Sequence, residues 1–323
     1  GKTTEALAAY DRLIEGAKEI ALKEYGWVRK AEIAKEAGDS ETFEDCHRHL
    51  ISDFPARAPR QKAASSFWIG WSLFRRDELA ESLPHVVTAR RDDPDKLGRE
   101  STLHLALAHY SLQDQPSLKI ELDRLLADYP EEKVPRAVFA WLGTRLSMDS
   151  QHIEAWRYLQ RAITPDAPSK TKIAVWRAAG RSALETGAFA EAIRPLTIIL
   201  EVEDNEFRKA ETSYHLARAH YGLKAFEAAR KAAEACLEFK PQGELNADAR
   251  LLLGDIAMAQ GKPADAAKHY VVVAEFFATT PARKRLVFKK AINALELKGD
   301  DEALKSADTY RKSLAALGPA PNP

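Results

Sequence analysis

A glycine or alanine recurs along this chain at Ala31, Gly70, Ala106, Gly143, Gly180, Ala217 and Gly254, in steps of 39 and 36 residues followed by four of 37. A beat held that long restricts the chain to architectures that stack one supersecondary unit on copies of itself. Each unit reads as two helices: an apolar-periodic stretch around the small residue, a short break, and a second stretch ending near an aromatic and a proline. LLLGDIAMAQGKPADAAKHYVVVAEFF is the clearest case, with Gly261 closing the first helix and Pro263 in the first turn of the second. TIILEV is β-branched enough to suggest a strand, but Leu196 and Ile199 occupy second-helix core positions, so it is read as helix. Pro84 and Pro195 fall inside second helices and are expected to kink or shorten them.

The small residue has a mechanical reason. Two closely crossing helices need little side chain at the contact, and Ala6, Ala155, Ala192, Ala229 and Ala266 supply a matching small residue on the second helices. The opening GKTTEALAAY aligns with GKPADAAKHY at 261–270, so Gly1 reads as a turn between helices. It does not read as the end of a phosphate-binding loop, which needs a preceding strand and an earlier glycine. By the same alignment the chain starts halfway through a unit, as a fragment or processed chain would.

On these residues the chain resembles the tetratricopeptide repeat (TPR) family over nearly its whole length. Trp27 and Trp176 stand in the family's tryptophan slot, Leu142-Gly143 and Leu253-Gly254 in its Leu-Gly slot, and Ala266, Tyr270 and Pro241 in later ones. The resemblance implies a right-handed superhelix of antiparallel helix pairs whose concave groove, lined by first helices, binds peptides or partner helices. HLISDFPARAPRQKAASSFWIGWSLF and RLLADYPEEKVPRAVFAWLGTRL further resemble bacterial envelope TPR proteins, the Tol-Pal-associated periplasmic protein and the outer-membrane assembly lipoprotein. A unit of 37 rather than about 34 agrees with that likeness, whereas IILEVEDNEFRKAETSYHL lacks the aromatic-proline pair. It implies a periplasmic or envelope-associated location, with the cytoplasm as the alternative.

Composition narrows the function. Lys plus Arg and Asp plus Glu are both 48, so no net charge draws the chain to nucleic acid. No apolar run approaches the roughly 18 residues of a membrane span. Cys46 and Cys236 sit in helical patterns and read as small buried hydrophobes. No serine elbow, zinc-binding helix, calcium loop or dinucleotide fingerprint occurs, so neither an enzyme, a cofactor nor a metal site is expected. His104 with His109 and His215 with His220 are each five apart, which turns the two rings about 140° from each other on a helix.

In the resembled family, the residues three before, one after and four after the small slot face the groove, and that spacing makes one helical stripe. Here it gives Phe67, Trp71, Phe74, Leu103, Leu107 and Tyr110, an apolar and aromatic patch of the kind that anchors partners, unless the superhelix turns it into the core. It also gives Arg177, Arg181 and Arg218 flanked by Tyr214 and Tyr221, suited to carboxylates unless Glu185 or Glu211 already pairs with the arginines. Lys289 with Asn293 resembles the opening pair of the family's carboxylate clamp. The expected molecule is an all-α solenoid over 1–317, a leading half repeat plus eight hairpins, with a disordered tail at 318–323. Its expected role is a non-catalytic scaffold binding a partner helix or an extended acidic or apolar segment. The alternative is a regulatory or substrate-positioning module of a larger enzyme.

Overall fold

The computed structural model describes residues 2–163 and 172–318, and every regular element among them is an α-helix. Gly1, read above as a turn residue, and residues 319–323 of the tail lie outside the described residues. Helix α1 (Lys2–Gly16) is followed by α2 (Ile20–Ala37) with α3 (Ser40–Ser52), α4 (Pro59–Arg75) with α5 (Leu79–Asp92), and α6 (Pro94–Ser111) with α7 (Gln115–Asp128). Next come α8 (Arg136–Met148) with α9 (His152–Ala162), α10 (Ile173–Glu185) with α11 (Phe189–Val202), and α12 (Glu206–Gly222) with α13 (Phe226–Glu238). The last pairs are α14 (Gly243–Ala259) with α15 (Pro263–Phe276) and α16 (Pro281–Lys298) with α17 (Asp301–Ala316). TIILEV is helical, inside α11.

Contacts group the chain into two compact units, Gly1–Val138 and Phe139–Pro323. In the first, each helix from α1 to α7 packs on the next, and in the second the succession from α9 to α17 does the same. Within a pair, the small slot is where the first helix meets the second. A Cβ added to Gly70 would lie 2.5 Å from Val86 Cγ2, one on Gly143 2.6 Å from Leu159 Cγ, and one on Gly180 3.0 Å from Leu196 Cδ2. On Gly254 it would enter the ring of Tyr270. The opposing residue is always sixteen positions further along. Where the slot holds alanine instead, at Ala31, Ala106 and Ala217, it is equally buried. The beat also continues one step beyond Gly254, to the fully buried Ala291.

Seven positions after each slot the chain turns. Gly38, Asp77, Gln113, Ser150, Gly187, Lys224 and Gly261 all adopt left-handed backbone, with φ between 57° and 78°. The same two bonds recur at each turn, as in Gly187 N–H to Leu184 O at 3.2 Å and Ala188 N–H to Ala183 O at 2.8 Å. Such paired bonds satisfy the last carbonyls of the first helix and aim the chain back along it. Asp39 and Asp114 then cap the N-termini of α3 and α7, accepting from Thr42 N–H at 3.0 Å and Ser117 N–H at 3.2 Å.

The two interior prolines do not shorten their helices: α5 and α11 run 14 residues, as do α7 and α15. Each proline removes one amide hydrogen, and tertiary packing retains the rest of the helix; Pro195 is itself buried, beside Gly180.

Candidate binding faces

In the first unit, the stripe places Phe67, Trp71 and Phe74 on α4 and Leu103, Leu107 and Tyr110 on α6. Phe67 is buried, at 9% exposure, while the other five are half-buried. Trp68, outside the predicted stripe, joins the rings together: its centroid lies 5.5 Å from Phe67, 5.7 Å from Trp71 and 5.7 Å from Phe43, each edge to face. Arg75 covers the Trp71 ring at 4.9 Å. Phe67 thus serves the core, and the remaining stripe is an apolar face anchored from beneath.

The histidine pair of this unit separates as helical geometry requires. His104 is buried against Phe74 and Phe67. Ser82 Oγ donates to Gly70 O at 2.7 Å, so its 3.4 Å contact with His104 Nε2 has the imidazole as donor. Burial pushes His104 down to a pKa of about 4. His109 faces Asp114 instead, at 3.3 Å. Among the described residues no three His, Cys, Asp or Glu side chains are grouped to hold a metal ion. Cys46 and Cys236 are buried, and burial pushes their thiols up to about 12 and about 11.

In the second unit, two of the three arginines are engaged within the chain. Arg177 pairs with Glu203, a buried carboxylate just beyond α11 that the sequence reading did not name, and Glu203 also accepts from Asn205 N–H at 3.1 Å. That backbone bond and then Arg177 hold the Glu203 carboxyl below its ordinary range. Arg218 pairs with Glu185 at 3.0 Å, one of the two carboxylates expected. Arg181 is exposed and has no ion pair among the described residues. Tyr214 is half-buried on a cluster with Ala217, Ala233 and Leu253, and burial raises its hydroxyl pKa.

Tyr221 borders a cleft of about 460 Å³ with Asp255, Met258, Tyr270, Lys290 and Asn293. There Asp255 Oδ1 accepts from Tyr270 Oη and from Lys290 Nζ, each at 2.5 Å. The cation beside Asn293 is therefore Lys290; Lys289, expected from the sequence, is exposed and does not line this cleft.

A further cleft, in the first unit, was not anticipated. About 280 Å³ lies between α2, α3 and α4, bordered by Val28, Phe43, Leu50 and Trp68 and by the polar groups of Lys35, His47, Arg57 and Ser65. Its sequence signal was available: His47 stands sixteen positions after Ala31, in the slot filled by Val86, Leu122, Leu159 and Leu196 in later pairs.

No protein-family model matches the chain, and no curated protein matches it. Among solved structures it is similar to MamA, at 18% identity over 58% of this chain and 98% of that one, with a TM-score of 0.46. It is also similar to the C-terminal part of a TPR repeat-containing protein from Cytophaga hutchinsonii, at 19% identity over 79% and 96%, with a TM-score of 0.44. A third is PilW, a type IV pilus biogenesis factor, at 16% identity over 70% and 98%, with a TM-score of 0.37. At these values the hairpin geometry itself, not the neighbours, carries the fold assignment.

Proposed function

We propose that this TPR-like array of helix pairs is a non-catalytic protein-interaction scaffold that captures a partner helix or extended segment on the face formed by its first helices. The observation that carries the reading is the uneven burial of that face. Trp71, Phe74, Leu103, Leu107 and Tyr110 lie on one stripe and keep part of their surface in solvent, while the slot between them is sealed. Large apolar and aromatic side chains grouped in that way supply anchor area to a partner. In the second unit, taken by itself, exposed Arg181 offers a guanidinium fork to a carboxylate. Arg177 and Arg218 position the neighbouring carboxylates and exchange partners only if Glu203 or Glu185 is displaced.

The aromatic-proline pairs Phe54-Pro55 and Tyr129-Pro130, similar to those of envelope repeat proteins, support a place in a bacterial envelope complex. No helix among the described residues is long and apolar enough to cross a membrane.

The test is capture from a lysate of the source organism by the wild-type chain beside a Trp71→Ala, Leu107→Ser variant and an Arg181→Glu variant, all with unchanged helical circular dichroism. A partner retained by the wild type and lost by the first variant is expected, and any partner held through the second unit should be weakened in a salt-dependent way by the Arg181 variant. Identical retention by all three contradicts the reading.

A further inference from the structure

The cleft between α2, α3 and α4 differs from the rest of the array in one respect: a core slot holds an imidazole. Val86, Leu159 and Leu196 close over the small residue in later pairs and Tyr270 does so over Gly254, whereas the residue sixteen positions after Ala31 is His47, which is 9% exposed. The ring is held in one state. Arg57 Nη1 can only donate, so Ser65 Oγ accepts from it at 3.2 Å and turns its own hydrogen to His47 Nδ1, also at 3.2 Å. The neutral imidazole then carries its hydrogen on Nε2, and that buried atom has no partner. Burial, with Arg57 and Lys35 nearby, pushes His47 down to a pKa of about 4, which keeps the ring neutral and Nε2 a donor at physiological pH.

The charges around the cleft are unevenly committed. Arg57 is paired with Glu24 at 2.8 Å, and Glu32 on the rim with Arg29. Lys35 has no carboxylate partner among the described residues; its ammonium lies 3.8 Å from the centroid of the Trp68 ring. Apart from Gln61, whose Oε1 accepts from Ala58 N–H at 3.3 Å, the other walls are apolar, chiefly Val28, Phe43, Leu50 and Trp68. A volume of about 280 Å³ lies just under the roughly 300 to 1,000 Å³ of drug-sized ligand cavities, which suits a small ligand.

We propose that this cleft binds a small organic acid, a carboxylate on an aromatic or branched aliphatic body, with the carboxylate on Lys35 Nζ and the His47 Nε2 hydrogen and the body against Trp68 and Leu50. One cation, one unpartnered donor and an apolar wall make up the polar and apolar halves of such a ligand. Arg57 and Ser65 act as positioning residues that fix the tautomer. The site uses neither Trp71 nor Arg181, so it stands independently of the scaffold reading.

The experiment is isothermal titration of the full chain with sodium phenylacetate and, separately, with phenylacetamide, which has the same body and no charge. Saturable 1:1 binding of the acid is expected, with the amide weaker by about tenfold or more. Lys35→Met, at an exposed position where the fold is not at stake, is expected to weaken the acid by a similar factor. His47→Gln, which can still present an N–H, should retain more affinity than His47→Phe, which cannot. Absence of saturation by about 10 mM acid, equal binding of the amide, or unchanged affinity in Lys35→Met overturns the proposal. So does a Gly-Gly-Phe tripeptide acid that binds about tenfold more tightly than phenylacetate, because the ligand would then be a chain terminus.

Discussion

Lys224 shows how a repeat constrains single residues. It occupies the left-handed turn position that Gly187 and Gly261 fill in neighbouring pairs, with φ of 59°. A side chain with a Cβ pays roughly 1 kcal/mol for that backbone, and glycine does not. Lys224→Gly is accordingly expected to raise the urea midpoint of the second unit by an amount equal to as much as ~1 kcal/mol, and Gly187→Ala to lower it comparably. No change in either variant would mean the turn is not strained. Buried histidines act at the same scale. His47 and His104, and the half-buried His215, each fall to about 4 when folded, chiefly through burial, from the ordinary imidazole value of 6.5. Their folded values are depressed, so the unfolded chain binds the proton more readily. Stability is full above pH 6.5 and is lost progressively as pH falls toward 4. Urea midpoints measured at pH 7.5 and pH 5 should therefore differ, by on the order of 1–2 kcal/mol per histidine, and His104→Leu should flatten its share of that slope.

Successive helix pairs are joined by polar links at nearly one repeat length. Arg76 reaches Glu44, Arg218 reaches Glu185, Lys290 reaches Asp255 and Tyr310 reaches Glu275. The Arg90 guanidinium holds Glu121 through two bonds, of 2.5 and 3.2 Å, and Glu121 is only 7% exposed. A charge so buried and so paired is costly to orphan, unlike the exposed pair Arg230 with Glu234 within one helix. A double-mutant cycle of Arg90→Ala and Glu121→Ala is expected to give a coupling of about 1–3 kcal/mol, against less than about 1 for Arg230 with Glu234. Equal couplings would remove the structural distinction. The sequence made some of this legible. Glycine marked the crossing points because only a small residue fits beneath Val86, Leu159 or Tyr270. The turn seven positions later was visible only where it held glycine. Gln113, Ser150 and Lys224 have no preference for positive φ and are forced into it by the paired bonds that close each helix. The partner of Arg177 was hidden for another reason: Glu203 lies past the end of α11, and only the path of that loop brings the two together.

At the scale of the whole chain, the beat specifies the stacked helix pairs and leaves the exposed face to side chains that the beat does not dictate. Seventeen helices among the described residues follow from the small slot and the turn, and both compact units are built by neighbour-to-neighbour packing. Stability in such arrays is close to a sum over neighbouring elements, so the first-helix face can vary with little effect on the fold. The stripe implied by the family resemblance is the basis for proposing Trp71 and Leu107 in the first unit and Arg181 in the second as candidates. The Lys35 and His47 cleft was not, because three separate helices contribute to it. The most direct measurement is carbene footprinting of the chain, alone and saturated with its captured partner. Protection is expected on the first-helix stripe of the first unit, at Trp71, Phe74, Leu107 and Tyr110, with second helices unchanged. Protection confined to the second helices α5 and α7 would contradict binding on the first-helix face.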